Sequence, residues 1–310
     1  MIIIFGKVFS ILAMVGVGFL LYRSGKLGDR ARTDLTTLLL TVTTPCLALY
    51  TLYEKELTRE TMVSTAQAFC GAIGYILVAS ILASIFARLI RAKVEDRGCF
   101  IVLMVALNNG FMGFPVTKEI FGGDVLYLLV IHNIFMNIYF YSIAVMQMNA
   151  GHGFRPKEAA RSLVSPVTIA LALGMIMMVL GVQPPAMVDS LIRSLGDVTV
   201  PLSMIVVGLQ LGQSSFRSIL QNRQLILSSL MAMIGIPLLT FLITDALPLY
   251  DEVKIAIIFS SVFPSAVIPS VLAEKYGRNG KLMAEGVTLT TILSLVTIPL
   301  AAYLLTAYYC

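Results

Sequence analysis

Ten apolar segments, each about as long as a membrane-spanning helix, dominate the sequence. They lie at approximately 2–22, 34–53, 63–88, 98–118, 124–148, 166–183, 186–211, 224–245, 253–275 and 282–308. A helix needs about 20 apolar residues to cross the hydrocarbon core of a bilayer. The chain is 58% hydrophobic and only 13% charged, whereas about a quarter of the residues of a soluble domain are charged. The sequence therefore predicts an all-α polytopic membrane protein with ten transmembrane helices.

Lys and Arg residues alternate between the connections that join these segments. The first, third, fifth, seventh and ninth connections carry four, four, three, two and three of them. The second, fourth, sixth and eighth carry two, one, none and one. Connections rich in Lys and Arg stay in the cytoplasm. We therefore expect a multi-pass protein of the plasma membrane, of the bacterial inner-membrane type, with both termini extracytoplasmic. These loops contain most of the basic residues behind the net charge of +5, so no nucleic-acid partner is predicted.

A polar stretch divides the ten segments into two sets of five. We predict a first five-helix repeat at 1–148, a cytoplasmic linker at 149–165 and a second five-helix repeat at 166–310. Because five is odd, the second set must cross the membrane upside down relative to the first.

Two proline landmarks support this internal repeat. Pro201 follows Pro45 by 156 positions, and Pro269 follows Pro115 by 154 positions. Inverted repeats of this kind occur in secondary transporters, where interrupted helices meet near the bilayer midplane. The sequence therefore predicts two inverted five-helix repeats.

The fourth and ninth segments are interrupted by residues that break helices. Asn108-Asn109-Gly110 and Gly113-Phe114-Pro115 interrupt the fourth segment, and a run from Ser260 to Pro269 interrupts the ninth. Unwound backbone survives at membrane depth only where protein or a polar cavity satisfies its hydrogen bonds. Paired interruptions are the best sequence pointer to the binding site of a transporter. We therefore expect broken helices 4 and 9 to cross each other.

The interruptions predict a site for a carboxylate. Pro115, and Pro264 or Pro269, are suited to the first turn of a half-helix, whose free N–H groups carry a partial positive charge. Such ends bind anions without a buried Lys or Arg. For any single serine there, capping a half-helix or pairing across a helix contact is the favoured interpretation. The predicted substrate-binding residues are Asn108, Asn109, Gly110, Pro115, Ser261, Pro264, Ser265, Thr44, Pro45, Asn133 and Asn137.

Few ionisable residues lie inside the apolar segments. His132 could carry a coupling proton, because histidine titrates near neutral pH, or it could be a hydrogen-bonded packing residue. Asp197 could pair with Arg193, one helical turn earlier, or serve as a proton or cation site. Both residues are candidates for the coupling of transport to an ion.

The sequence contains no signature of an enzyme. There is no Walker A, H-E-x-x-H or G-x-S-x-G sequence, and the four cysteines lack metal-ligand spacing. We predict neither catalytic residues nor a cofactor nor a metal. A membrane receptor or sensor that uses the same pocket is the alternative from another class, although no soluble output domain is visible.

The stretch Asn108-Asn109-Gly110-Phe111-Met112-Gly113-Phe114-Pro115-Val116 resembles the N-x-G-[FY]-M-G-[FY]-P-V motif of the auxin efflux carrier family. The resemblance extends over nearly the whole chain. It implies ten helices and elevator-type alternating access, with helices 1, 2, 6 and 7 as the scaffold and helices 3–5 and 8–10 as the transport domain. It also implies a small organic anion as substrate: malate, malonate or a similar carboxylate, or an auxin-like acid. A homodimer through the scaffold helices would fit this architecture.

One position departs from the family pattern. Ile268 lies four residues after Pro264, where family members often carry Asn, so a second amide contact is missing. A sodium-coupled carrier of the bile-acid type, which shares crossed helices, is the alternative within transport.

Overall fold

The computed structural model describes residues 2–149, 164–213, 219 and 221–309. Within these residues the regular elements are all helices, and the only β-type pairing is one isolated bridge. In the part of the chain that the structure describes, seven helices are long and apolar enough to cross a membrane: Gly6–Arg23, Asp29–Tyr53, Arg59–Leu89, Gly123–Met148, Ala186–Gln213, Arg223–Asp245 and Gly280–Tyr309. The predicted all-α class is therefore confirmed. Residues 150–163 of the predicted linker lie outside the described residues.

The helices follow the apolar segments of the sequence. In the first part of the chain they are α1 (Ile2–Arg23), α2 (Asp29–Leu38), α3 (Thr44–Tyr53), α4 (Arg59–Leu89), α5 (Val94–Val105), α6 (Phe114–Phe121), α7 (Gly123–Tyr139) and α8 (Val145–Met148). In the second part they are α9 (Pro166–Leu180), α10 (Ala186–Asp197), α11 (Thr199–Gln213), α12 (Arg223–Leu230), α13 (Ile236–Asp245), α14 (Asp251–Ser261), α15 (Ile268–Lys275) and α16 (Gly280–Tyr309).

Four π-helical turns interrupt the described helices, and three of them lie directly before a proline. The turns Leu39–Thr43, Asn109–Gly113 and Met231–Gly235 precede helices that carry proline at the first or second position. Proline lacks an N–H group and its ring clashes with the carbonyl four residues earlier. A π turn inserts one extra residue into the helical repeat, which gives this carbonyl room. The prolines therefore explain where the helical geometry changes.

The chain divides into two compact units. Unit 1 comprises Met1–Ala68, Gly110–Ile134 and Val164–Gln213, and unit 2 comprises Phe69–Asn109, Phe135–Leu163 and Ser214–Cys310.

Small residues let the helices of unit 1 pack closely. A Cβ atom at Gly18 of α1 would lie 2.0 Å from the backbone oxygen of Ile205 in α11, and one at Gly208 would lie 2.1 Å from the oxygen of Val15. Close backbone approach through glycine is a common way for membrane helices to associate, because the bilayer offers them little hydrophobic drive. The α1–α11 contact is therefore specified by glycine at these positions.

Unit 2 is built around helix α5. Every residue from Gly98 to Val105 is buried, and these residues join the apolar core of the unit. A Cβ atom at Gly286 of α16 would lie 2.4 Å from the side chain of Leu103, so α16 packs tightly against α5. The core holds the C-terminal end of α5, at which its backbone leaves the helix.

Candidate functional site

Two short non-helical segments meet inside unit 2. Helix α5 ends at Val105 and helical backbone resumes at Asn109, whereas α14 ends at Ser261 and α15 begins at Ile268. Leu107 and Ser265 form an antiparallel β-bridge between the two segments. The N–H of Asn108 donates to the carbonyl of Pro264 at 2.9 Å, and the N–H of Ala266 donates to that of Ala106 at 2.9 Å. Each segment therefore satisfies backbone groups that the other has exposed by leaving the helix.

Ser265 fixes this contact through two further hydrogen bonds. Its N–H donates to the hydroxyl of Thr290 in α16 at 3.1 Å, and its own hydroxyl donates to the carbonyl of Leu103. The Thr290 hydroxyl in turn donates to Gly286 or Val287 one turn earlier in α16. Ser265 is 3% exposed and Thr290 is fully buried. A buried network with all of its members paired holds a segment in one conformation.

The variant Thr290→Val is expected to destabilise the protein because it removes the acceptor for the Ser265 N–H. A buried donor without a partner costs about 1–3 kcal/mol. For a chain of this size we expect the apparent unfolding temperature in detergent to fall by several degrees. Thr291→Val is the matched control, because the hydroxyl of Thr291 is buried too and donates to the carbonyl of Val287 in its own helix. Equal losses in the two variants would contradict the role of Thr290.

A helix start follows each non-helical segment. Beyond Asn108 the chain enters the π turn Asn109–Gly113 and passes into α6, which carries Pro115 in its first turn. Because the helical backbone begins at Asn109, the N-terminal end of this helical stretch lies at Asn109 rather than at the residues around Pro115, where the sequence alone had suggested it. In the second segment Pro269 lies in the first turn of α15, and Pro264 lies in the non-helical stretch before it.

The two segments lie in stretches of the chain that carry no charged side chain. Residues 98–117 and 255–273 contain no Asp, Glu, Lys or Arg. Asn109 and Ser261 are fully buried, and Asn108 is half-buried. The hydroxyls of Ser260 and Ser261 donate to carbonyls of α14 at 2.7 and 2.6 Å. The partial positive charge that two helix starts carry is therefore not neutralised by a side-chain charge within either stretch.

Unit 1 contains most of the other predicted site residues. Thr44 and Pro45 are buried at the start of α3, and His132 and Asn133 are buried in α7. Asn133 lies beside Gly110, since a Cβ atom at that glycine would be 3.8 Å from its side-chain nitrogen. The half-buried Asn137 belongs to unit 2.

Asp197 takes part in a polar cluster of unit 1. Its carboxylate pairs with Lys118 of α6 at 2.5 Å and accepts a hydrogen bond from Tyr50 of α3 at 2.9 Å. Arg193 donates to Asp189 at 2.8 Å and also pairs with Glu54. The structure thus gives Asp197 an ion partner from another helix, which the i,i+4 spacing with Arg193 did not indicate.

The sequence prediction did not include Thr290 or Lys118. The run Thr288-Leu289-Thr290-Thr291 is an unusual concentration of hydroxyls in an apolar segment, and this signal could have pointed to Thr290. Lys118 is the single basic residue of the fourth connection, and the sequence assigns it no other role. Nothing in the sequence indicates which helices its side chain contacts.

Known proteins resemble this chain over three quarters of its length or more. The sequence model of the family described as "Membrane transport protein" matches residues 3–160 and 154–302. A protein of Methanothermobacter thermautotrophicus, named an uncharacterized transporter, is 27% identical over 296 residues that cover 94% of this chain and 95% of that protein. An uncharacterized transporter of Methanocaldococcus jannaschii is 24% identical over 245 residues, which cover 76% of this chain and 75% of the relative. The regions matched by the family model include both non-helical segments.

Proposed function

The chain belongs to the membrane transport protein family, and from this premise we propose that it is a secondary transporter that carries a small organic anion across the plasma membrane. The membership also confirms the resemblance to auxin efflux carriers that the motif around Pro115 indicates. The substrate is a mono- or dicarboxylate such as malate or malonate, or an auxin-like acid.

The pairing of two uncharged non-helical segments is the observation that carries the proposal. Each segment is followed by a helix start, and helix starts attract anions through their N–H groups and partial positive charge. A carboxylate would be held by these groups and by the amides of Asn108 and Asn109, with Ser261, Pro264 and Ser265 forming the adjacent wall. An apolar setting strengthens such contacts, because little water competes for the charge.

The absence of a fixed cation from these stretches also suits transport. A buried Lys or Arg would bind a carboxylate strongly and slow its release, whereas helix starts and amides bind more weakly and release their ligand in each cycle. The remaining candidates (Thr44, Pro45, Gly110, Pro115, Asn133 and Asn137 for the substrate, and His132 and Asp197 for the coupling ion) stay predictions from the sequence.

In the proposed architecture ten helices cross the membrane as two inverted repeats, and the segments 98–118 and 253–275 are the broken fourth and ninth helices. The helical ranges of the structure fit this count, since α5 with α6 and α14 with α15 occupy those two segments. We place helices 1, 2, 6 and 7 in a scaffold and the others in a transport domain that moves by an elevator mechanism.

Flux into proteoliposomes tests the proposal. We expect saturable uptake of at least one radiolabelled carboxylate from a panel of malate, malonate and an auxin-like acid, and no saturable uptake of the corresponding uncharged methyl ester. The ester is the matched control because it keeps the carbon skeleton and removes the negative charge. Equal uptake of acid and ester would contradict a site built for anions.

Two further arms distinguish the alternatives. Replacement of sodium by choline should leave the flux unchanged, and a flux that requires sodium would favour a bile-acid-type carrier. Thermal unfolding in the presence of each acid should identify the ligand, because ligand at 100 times its Kd raises stability by about 2.7 kcal/mol. Binding without counterflow in liposomes would favour a receptor or sensor.

A further inference from the structure

Lys118 connects the half-helix α6 to two other helices of unit 1. Its ammonium group pairs with Asp197 of α10 at 2.5 Å, donates to the hydroxyl of Tyr50 in α3 and lies 4.9 Å from the centre of the Tyr50 ring. The Tyr50 hydroxyl also donates to Asp197, so the three side chains contact one another pairwise. We call Lys118, Tyr50 and Asp197 the Lys118 cluster.

A second lysine contacts the same end of the half-helix. The ammonium group of Lys7 in α1 lies 3.5 Å from the carbonyl oxygen of Ile120, to which it donates. Cations near the C-terminal end of a helix interact favourably with its unpaired carbonyls and partial negative charge. The end of α6 is therefore held by side-chain contacts to α1, α3 and α10.

The chain on both sides of α6 can change direction. Gly122 follows the helix with φ of +86°, in a region of backbone conformation that other residues rarely adopt. The π turn Asn109–Gly113 precedes it and contains two glycines. Residues that absorb backbone rotation at element ends are typical hinges. The half-helix α6 therefore lies between two candidate hinges, and the Lys118 cluster restrains its C-terminal end.

We propose that the Lys118 cluster is a latch that holds α6 against α3 and α10 in one state of the transport cycle and opens in the other. This inference rests on the proposed function, in which α6 belongs to the moving transport domain and α3 and α10 belong to the scaffold. Lys118 is accordingly a positioning residue: it acts on the substrate site through the half-helix that begins beside Asn109.

The exposure of the pair suits a contact that must open in every cycle. The side chains of Lys118 and Asp197 are 30% and 62% exposed, so water can solvate both charges once they separate. Partly exposed ion pairs and cation–π contacts are individually weak. We therefore expect the latch to bias the two states by about tenfold, which corresponds to about 1.4 kcal/mol, and not to lock either of them.

Hydrogen exchange tests the latch without any assay of transport. Lys118→Met keeps an unbranched side chain about as long as the aliphatic part of lysine and removes the ammonium group. It should speed amide exchange of residues 114–121 about tenfold, because the opening equilibrium shifts by that factor. Lys55→Met is the matched control. Lys55 pairs with Asp124, the two side chains are 27% and 63% exposed, and Lys55 lies 5.7 Å from the centre of the Tyr127 ring.

Neither member of the control pair lies on α6, so Lys55→Met should change exchange of residues 114–121 by less than about twofold. The charge exchange Lys118→Asp with Asp197→Lys should restore slow exchange, which a merely steric role of Lys118 would not predict. Unchanged exchange in Lys118→Met, or equal acceleration by Lys55→Met, would overturn the latch whether or not flux is found.

Crosslinking tests whether the latch must open. In a chain with its native cysteines replaced, Lys118→Cys and Asp197→Cys are joined by a short reducible bis-thiosulfonate. Flux should fall at least about tenfold and return on reduction, since a closed latch would block the cycle. The control pair, Glu54→Cys with Arg193→Cys, joins two parts of the proposed scaffold and should leave the flux unchanged.

The two proposals fail in different ways. Full flux through protein crosslinked between positions 118 and 197 would overturn the latch and leave the transport proposal intact. Absence of carboxylate flux from the unmodified protein would instead count against the proposed function, and hydrogen exchange would still decide whether Lys118 restrains the half-helix.

Discussion

Asn109→Asp is expected to abolish carboxylate transport at neutral pH while the protein remains folded. The substitution keeps the shape of the side chain and places a negative charge at the start of the helical backbone, where Asp is well tolerated. The new carboxylate would occupy the positive field that we assign to the substrate. Two like charges 4 Å apart repel by about 4 kcal/mol at an effective dielectric constant of about 20. We therefore expect kcat/KM for uptake to fall by at least about 100-fold.

Asn149→Asp is the matched control for this variant. It makes the same change in side chain and net charge, but Asn149 accepts a hydrogen bond from Arg278 at 3.0 Å, so a carboxylate there gains a charged partner. Flux through this variant should stay within about twofold of the unmodified protein. Thermal unfolding of both variants separates loss of transport from loss of folding. Normal flux in Asn109→Asp would contradict the assignment of the anion to this helix start.

Gly18→Leu is expected to prevent the normal packing of α1 against α11. The added Cβ atom would lie 2.0 Å from the backbone oxygen of Ile205 and 2.8 Å from its carbonyl carbon, and backbone atoms have no other rotamer to adopt. The two helices would have to separate, which also exposes the close contact at Gly208. Overpacking of this severity costs about 3 kcal/mol or more. We expect a large loss of monodisperse protein after purification and a lower unfolding temperature.

Gly16→Leu tests whether this loss comes from the contact and not from the composition of the helix. Gly16 lies on the same helix two residues earlier, and a Cβ atom there has no neighbour within 4 Å. Both substitutions replace glycine by a residue with a higher helix propensity, by about 1 kcal/mol. Gly16→Leu should therefore leave the yield unchanged or raise it. Similar losses in both variants would show that the α1–α11 packing is not the cause.

The helices were predictable because each depends on a long local run of apolar residues. The predicted segment 63–88 lies within α4, and the segments 186–211 and 282–308 lie within the helical stretches Ala186–Gln213 and Gly280–Tyr309. Prolines were equally informative, since their effect on the backbone is local: Pro269 lies in the first turn of α15, and Pro115 closely follows the π turn Asn109–Gly113.

The partners of individual side chains were not predictable. Asp197 is four residues from Arg193, and this spacing suggested an ion pair within one helix, yet the structure pairs Asp197 with Lys118, which is 79 residues away. Thr290 accepts from Ser265 across 25 residues of sequence. Such contacts depend on the rotation of each helix about its own axis and on its register against its neighbours. Neither the rotation nor the register of a helix can be read from the local amino-acid composition.

The residues by themselves determined that this chain is a multi-pass membrane protein of apolar helices, and they predicted that two of its apolar stretches are interrupted. Both results follow from short-range chemistry, namely the cost of unpaired backbone in hydrocarbon and the geometry of proline and glycine. Only the tertiary structure decided that 106–108 pairs with 264–266 and that Lys118 reaches Tyr50 and Asp197. These contacts join residues far apart in sequence, and their free energy exists only after the helices have packed.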